Sequence, residues 1–220
     1  MKKSTLTFLG KDSGFGEKNT SAFYEDGKNF FLIDCGYTVF NILKKKFDFK
    51  RYENIYVIIT HLHGDHAGSL SHFILYLWFL YHKKTIVLSH CIHIKEYLAM
   101  TGAPEEAYTV NSGFDEIEFI PTKHVPKMDC YGFQIQLQEK KIVYTGDTAE
   151  LKPFLPYLKD ADEFYTDASI EGTIHLKIED ALPELLQIQE NHTDVFLMHL
   201  DNEITIREIV QDKLSFVKEL

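Results

Sequence analysis

Seven residues constrain this chain more than any other feature: Thr60-His61-Leu62-His63-Gly64-Asp65-His66, at the end of the apolar run Asn54–Thr60. In extended chain, residues two apart point the same way, so His61 and His63 can clasp one metal ion from one side. Gly64 lets the chain turn without a Cβ clash. Asp65 and His66 then open a helix and can face a second ion. Neutral imidazoles with a carboxylate suit a borderline divalent ion such as zinc or manganese and suit calcium poorly.

The same arrangement recurs along the chain. FFLI runs into Asp34, NIYVIIT into His61, IEFIPTK into His124, KIVYTG into Asp147 and VFLM into His199. Ligands at strand ends are held by a rigid sheet, and the loops that follow leave room for substrate. Five such endings predict a common rim. His124 and His199 are the candidates to complete two ion sites. Asp147 is the natural bridge between them, because its two oxygens can bind one ion each.

Between these strands the 3.6-residue pattern predicts helices at Val39–Phe47, Gly68–Tyr81, His93–Met100, Lys152–Tyr157, Ile178–Asn191 and Ile204–Leu220. Sheets with helices packed outside them make an α/β or α+β layering. No stretch reads as an interdomain linker, so residues 1–220 are expected to form a single domain.

THLHGDHAG resembles the H-x-H-x-D-H signature of the metallo-β-lactamase fold superfamily, and His124, Asp147 and His199 follow in that family's order. LIDCG resembles its strand-end aspartate motif, at Asp34. The resemblance implies a four-layer αββα sandwich with a dinuclear site at one sheet edge. It implies that His61, His63 and His124 hold one ion, that Asp65, His66 and His199 hold the other, and that Asp147 bridges. Asp34 would orient the histidine loop rather than bind metal. Two divalent ions are implied, zinc first, with manganese or iron as substitutes.

Within that superfamily, FLGKDSGFGEKNTSAFYEDGKNFFLIDCG is similar to the start of ribonuclease Z and related phosphodiesterases, which show a glycine-rich loop before a segment like Asn19-Thr20-Ser21. His175 stands where such members carry a histidine near the substrate phosphate. The implied enzyme is a metal-dependent hydrolase in which a metal-bridging hydroxide attacks a small or short phosphodiester, with Asp65 and His175 as catalytic groups. A carbonyl-directed hydrolase of the same fold, acting on a lactone or thioester, is the alternative. Asp167, Ser169 and Glu171 are candidates to line the cleft.

Charge and composition narrow the partners. The formal net charge is -10 and no basic, glycine-rich arm interrupts the sequence, which argues against gripping transfer RNA. The longest apolar run, Phe73–Tyr81, is far shorter than the roughly 20 residues that span a bilayer. It is expected to be a buried aromatic element, with a substrate-facing or dimer-contact surface as the other option, so a homodimer stays open. Three scattered cysteines without CxxC spacing fit a reducing compartment. The start shows no long apolar segment, and the expectation is a cytoplasmic protein without a signal peptide.

Overall fold

A computed structural model describes residues 4–111 and 114–220; the beginning of the chain on which the signal-peptide reading partly rests, residues 1–3, lies outside them. Two six-stranded sheets face each other. The first takes β1 (Thr7–Gly10), β2 (Ser21–Asp26), β3 (Asn29–Ile33), β4 (Asn54–Ile58), β5 (Thr85–Leu88) and β6 (Tyr108–Val110) in sequence order. The second takes β7 (Ile117–Pro121), β8 (Tyr131–Leu137), β9 (Lys140–Tyr144), β10 (Glu163–Ala168), β11 (Asp194–Leu200) and β12 (Ser215–Phe216), also in order. Each sheet begins with two antiparallel pairings and continues with three parallel ones.

Strand periodicity builds the layers. In β3, Phe30 and Leu32 turn to one face and Phe31 and Ile33 to the other; in β4, Ile55 and Val57 oppose Tyr56 and Ile58. Phe31, Ile33, Tyr56 and Ile58 meet Phe133, Tyr144, Tyr165, Phe196 and Met198 of the second sheet in one buried layer. Each such side chain contributes about 1.5–3 kcal/mol when fully buried. Outside the first sheet lie α1 (Val39–Lys46), α2 (Gly64–Ala67), α3 (Leu70–Tyr76) and α4 (Ile94–Met100), which bury Leu43, Ala67, Phe73 and Leu98 on its outer face. Outside the second lie α5 (Ile178–Glu190) and α6 (Glu203–Val210), burying Leu185 and Ile206. The order helix, sheet, sheet, helix is the expected four-layer sandwich.

Four expectations need correction. The helix expected over Gly68–Tyr81 is α3 followed by a π-helical turn, Leu77–Tyr81, which His82 closes at φ 55°. In Lys152–Tyr157, Pro153 and Pro156 each remove a backbone donor, and only the 3₁₀ turn Leu155–Tyr157 forms. Ile204–Leu220 is not one helix. Asn202 caps α6 by accepting from Thr205 N, Gln211 and Asp212 turn left-handed at φ 50° and 60°, and β12 then pairs with β11. The fourth is a missed element: β6 lies in a stretch where no strand is expected. No helix among the described residues is long and apolar enough to cross a membrane.

Candidate metal centre

The strand directions converge on one edge. Because β7 and β8, and then β8 and β9, are antiparallel, β7 runs the same way as β9, β10 and β11. Asp34 follows β3, the histidine loop follows β4, His124 follows β7 and Asp147 follows β9. Asp167 and His199 are the next-to-last residues of β10 and β11. Carboxyl ends of parallel strands leave a crevice, which is where open α/β sheets place ligands.

Two residues reach the crevice by leaving ordinary strand geometry. Asp34 and His199 both adopt left-handed backbone, φ 58° and 53°, a conformation that is uncommon outside glycine but enriched for Asp and His. His199 is also the extra residue of a β-bulge. Asp167 pairs with Met198, Ala168 pairs with Leu200, and nothing pairs with His199. A bulge re-aims one side chain at the cost of a local break in the ladder.

The donor atoms fall into two sets. His61 Nε2 lies 3.0 Å from His63 Nδ1, and His124 Nε2 lies 3.3 Å from the same atom. Asp147 Oδ2 is 3.7 Å from His61 Nε2 and 3.5 Å from His124 Nε2. In the second set, Asp65 Oδ2 is 3.3 Å from both His66 Nε2 and His199 Nε2. Asp147 Oδ1 is 3.2 Å from His66 Nε2 and 3.5 Å from His199 Nε2. Tetrahedral bonds of about 2.05 Å separate neighbouring ligands by about 3.35 Å, so both sets have the size a transition ion requires. Asp147 turns one oxygen to each set.

The polar balance makes the same fit. His66 Nε2 and Asp147 Oδ1 are buried and make no well-aligned hydrogen bond, which would cost about 1–3 kcal/mol each if left so. Burial, reinforced by His66, holds the His61 imidazole well below its usual range; burial likewise lowers His63 and His124. These three present neutral lone pairs. Burial opposes charge at His66 too, but the Asp147 and Asp34 carboxylates outweigh it and raise this imidazole well above its usual value. Burial also opposes the Asp147 anion, yet His199 and His66 hold its carboxyl well below the usual range. The pocket therefore favours positive charge between its carboxylates.

Supporting groups hold the rings. Asp34 is fully buried; its Oδ1 accepts from Thr60 N at 2.9 Å and its Oδ2 lies 2.8 Å from His66 Nδ1. Burial pushes its carboxyl up, against the pull of His66 and Thr60. Thr60 Oγ1 sits 3.1 Å from His61 Nδ1, and the Ile174 carbonyl accepts from His124 Nδ1 at 2.8 Å. Such partners fix which ring nitrogen keeps its lone pair.

His175 stands apart from both sets, with Nδ1 2.9 Å from Asp167 Oδ2 and 3.9 Å from Asp147 Oδ2. Asp167 is fully buried rather than a cleft-lining residue, while Ser169 and Glu171 do line the cavity. A third donor group, Asp147, Asp167, His175 and His199, also falls within 4.8 Å. Asp167 was legible as a sixth strand end, after Phe164–Thr166; the Ile174 carbonyl leaves no trace in side-chain pattern.

Fold and site together define a metallo-hydrolase of the metallo-β-lactamase fold. YhfI of Bacillus subtilis, named a probable metallo-hydrolase, is 26% identical over 193 residues, covering 78% of this chain and 77% of that protein. Its crystal structure, described as a metallo-β-lactamase fold protein, superposes with a TM-score of 0.77 at 19% identity over 98% of this chain and 95% of that one. The family model of anti-Pycsar protein Apyc1 matches residues 4–99 and 87–220, and the chain belongs to that family. The protein of that name from Paenibacillus harenae is 26% identical over 227 residues, 90% of each chain. Human tRNase Z, short form, shares the fold with a TM-score of 0.72 at 15% identity, over 97% of this chain and 96% of that one.

Proposed function

We propose that this single-domain protein is a dinuclear metal-dependent hydrolase that cleaves a small phosphodiester. The observation that carries the two-ion reading is the division of Asp147, one oxygen toward His61 and His124 and the other toward His66 and His199. His61, His63 and His124 would hold one ion, and Asp65, His66 and His199 the other. Zinc suits the donor set best, with manganese or iron as substitutes. Four carboxylates, those of Asp34, Asp65, Asp147 and Asp167, surround the pair and balance two dications. Bound there, the ions would polarise the phosphoryl oxygens and lower the pKa of an attacking water.

The chain's own residues do the rest. Asp65 Oδ2 projects between His66 and His199 as a donor to the second ion, which leaves its other carboxylate oxygen to take a proton from the attacking water. The neighbouring His199 and His66 hold its carboxyl far below the usual range even against burial, so it is present as an anion. Water adds to phosphorus and the bond to the leaving oxygen breaks. His175 donates Nδ1–H to Asp167, which leaves Nε2–H to pass its proton to that oxygen. Burial opposes charge at His175, but the Asp167 hydrogen bond and the Asp147 carboxylate raise its imidazole above the usual value. Asp34 keeps the His66 ring in its ligating orientation.

Support for a small phosphodiester comes from this His175–Asp167 pair, from the net charge of -10, which disfavours long nucleic acids, and from membership in the Apyc1 family. A cytoplasmic site of action fits the three unpaired cysteines. The test is elemental analysis followed by a substrate panel on metal-reconstituted protein. Two equivalents of transition metal are expected, with turnover of bis-p-nitrophenyl phosphate and of 3′,5′-cyclic nucleotides above that of homoserine lactones and a glutathione thioester. Lactone or thioester cleavage without phosphodiester cleavage would overturn the substrate reading. A chain that takes up no divalent ion would overturn the whole of it.

A further inference from the structure

His175 and the carbonyl that steadies His124 are neighbours in the chain, and both ride on the loop between β10 and α5. The Ile174 carbonyl accepts from His124 Nδ1, and His175 turns its own Nδ1 to Asp167. One short segment therefore places a proton donor and fixes a metal-facing ring at the same time. It does so from a strained shape. Gly172 and Thr173 are both left-handed, φ 74° and 67°, and a β-branched residue in that region is an outlier that its surroundings must hold. Part of the hold is local: Ile174 N and His175 N both donate to the Gly172 carbonyl.

The rest comes from another strand. Asp201 lies just beyond β11, two residues after His199. Its Oδ2 accepts from Ser169 Oγ at 2.6 Å, and its two oxygens accept from Ile170 N at 3.1 and 3.0 Å. Because the Ser169 hydroxyl spends its proton on Asp201, its lone pairs face the loop and accept from Glu171 N at 3.1 Å and Gly172 N at 3.2 Å. The amides of Ile170, Glu171 and Gly172 thus all end on this pair. Asp201 itself is anchored on both sides. Leu200 N donates to the Lys11 carbonyl, the Leu200 carbonyl accepts from Ser13 N, and Asn202 caps α6. Asp201 lines the cavity yet belongs to none of the three donor groups.

We propose that Asp201, acting through Ser169, is a positioning residue that sets the proton donor His175 and the ring of His124 together. This rests on the reading of His175 as proton donor above. The test compares wild type, Asp201→Ala, Asp201→Asn, His175→Ala and the double variant Asp201→Ala/His175→Ala at saturating metal. Each is assayed on a phosphodiester with an alkoxide leaving group and on bis-p-nitrophenyl phosphate, and its metal affinities are read by chelator competition. Asp201→Ala should lose about 10²-fold in kcat on the alkoxide substrate, the usual cost of a misplacement of about 1 Å, and much less on the nitrophenyl one. It should also weaken the ion held with His124 by about 10-fold, the low end of the range for a lost supporting partner, whereas His175→Ala should leave both affinities alone. In the His175→Ala background the same substitution should cost nothing further in rate on the alkoxide substrate. Asp201→Asn keeps one oxygen to accept from Ser169 Oγ and Ile170 N, and should restore most of the rate and the affinity.

Equal rate losses on the two substrates with a lower Tm would mark a merely structural residue and overturn the proposal. So would additive losses in the double variant, an asparagine as damaging as alanine, or wild-type rate and affinity in Asp201→Ala. Where His175→Ala shows the leaving-group dependence, a change in one readout of Asp201→Ala without the other overturns it too. If no phosphodiester turns over, or His175→Ala is indifferent to the leaving group, the proton-donor reading fails by itself and the metal affinities decide. A weaker His124 ion in Asp201→Ala that Asp201→Asn restores keeps the brace; an unchanged one ends it.

Discussion

Replacing Asp34 by asparagine removes a charge and almost no volume from a residue with no exposed surface. The carboxylate serves two donors at once, Thr60 N at Oδ1 and His66 Nδ1–H at Oδ2, with Thr60 Oγ1 reaching both oxygens. Asparagine has one oxygen to offer. The Thr60 amide is fixed backbone, so the oxygen goes there and the side-chain NH₂ turns toward His66. His66 must then shift its proton to Nε2, the atom that faces Asp65 at 3.3 Å and Asp147 at 3.2 Å. A protonated nitrogen cannot bind metal. Losing such a supporting partner typically costs 10–100-fold in metal affinity, about 1.4–2.7 kcal/mol. In a competition titration against a chromophoric chelator, Asp34→Asn should weaken the ion held by His66 by about 10–100-fold. The ion held by His61, His63 and His124 should change far less. Two sites at wild-type affinity would refute the reasoning. Equal weakening of both would refute it too, since Asp34 would then shape the whole loop rather than one ring. Asp34→Ala is the harsher control: it orphans the Thr60 amide and the His66 ring, at about 1–3 kcal/mol for each, and should lower Tm as well.

His175→Ala should keep both ions by elemental analysis while losing about 10²–10⁴ in rate on a poor leaving group, and much less on a nitrophenyl ester, whose leaving oxygen needs no proton; loss of an ion would make His175 a ligand instead. Gly36→Ala should fold poorly and lose metal, because its Cβ would lie 1.9 Å from the Asp65 carbonyl oxygen, which is backbone. Gly64→Ala should melt close to wild type, since the atom it meets is the movable end of Tyr37; similar melting temperatures for the two variants would contradict this. Burial pushes the thiols of Cys35, Cys91 and Cys130 up to about 12, 11 and 12, so the native protein should not react with Ellman's reagent at pH 8 while the unfolded chain yields three thiols. The same shifts make stability fall as pH rises above about 8.5, where the unfolded state loses protons that the native state keeps.

What the sequence shows of this fold follows from what it has to bury. Parallel strands covered on both faces must be apolar throughout, so β3, β4 and β11 stand out, and the polar residue that ends each run stands out with them. That is why Asp34, His61 and His199 are legible without any structure. Short edge strands are not. β12 is two residues long and exists because β11 has a free edge beside it, a tertiary fact that the helical pattern of Ile204–Leu220 does not contain. The Ile174 carbonyl that steadies His124 is backbone and could belong to any residue type. Asp201 is hidden for another reason. Its partners are a hydroxyl and an amide far upstream in the chain, and only the fold sets them beside it.

The bulge at His199 puts a second kind of arithmetic into β11. Val195, Leu197 and Leu200 share the outer layer, while Phe196 and Met198 share the inner one. Remove His199, and the five apolar residues that remain alternate without a break, and Met198 and Leu200 become consecutive partners of Asp167 and Ala168. His199 is thus a surplus letter in an otherwise regular word. A single-codon deletion would leave every other side chain of the strand on its own face and relieve a left-handed residue, giving a smoother sheet and an incomplete metal site. Packing makes no demand for His199; its left-handed backbone and unpaired place in the register aim an imidazole at the candidate site.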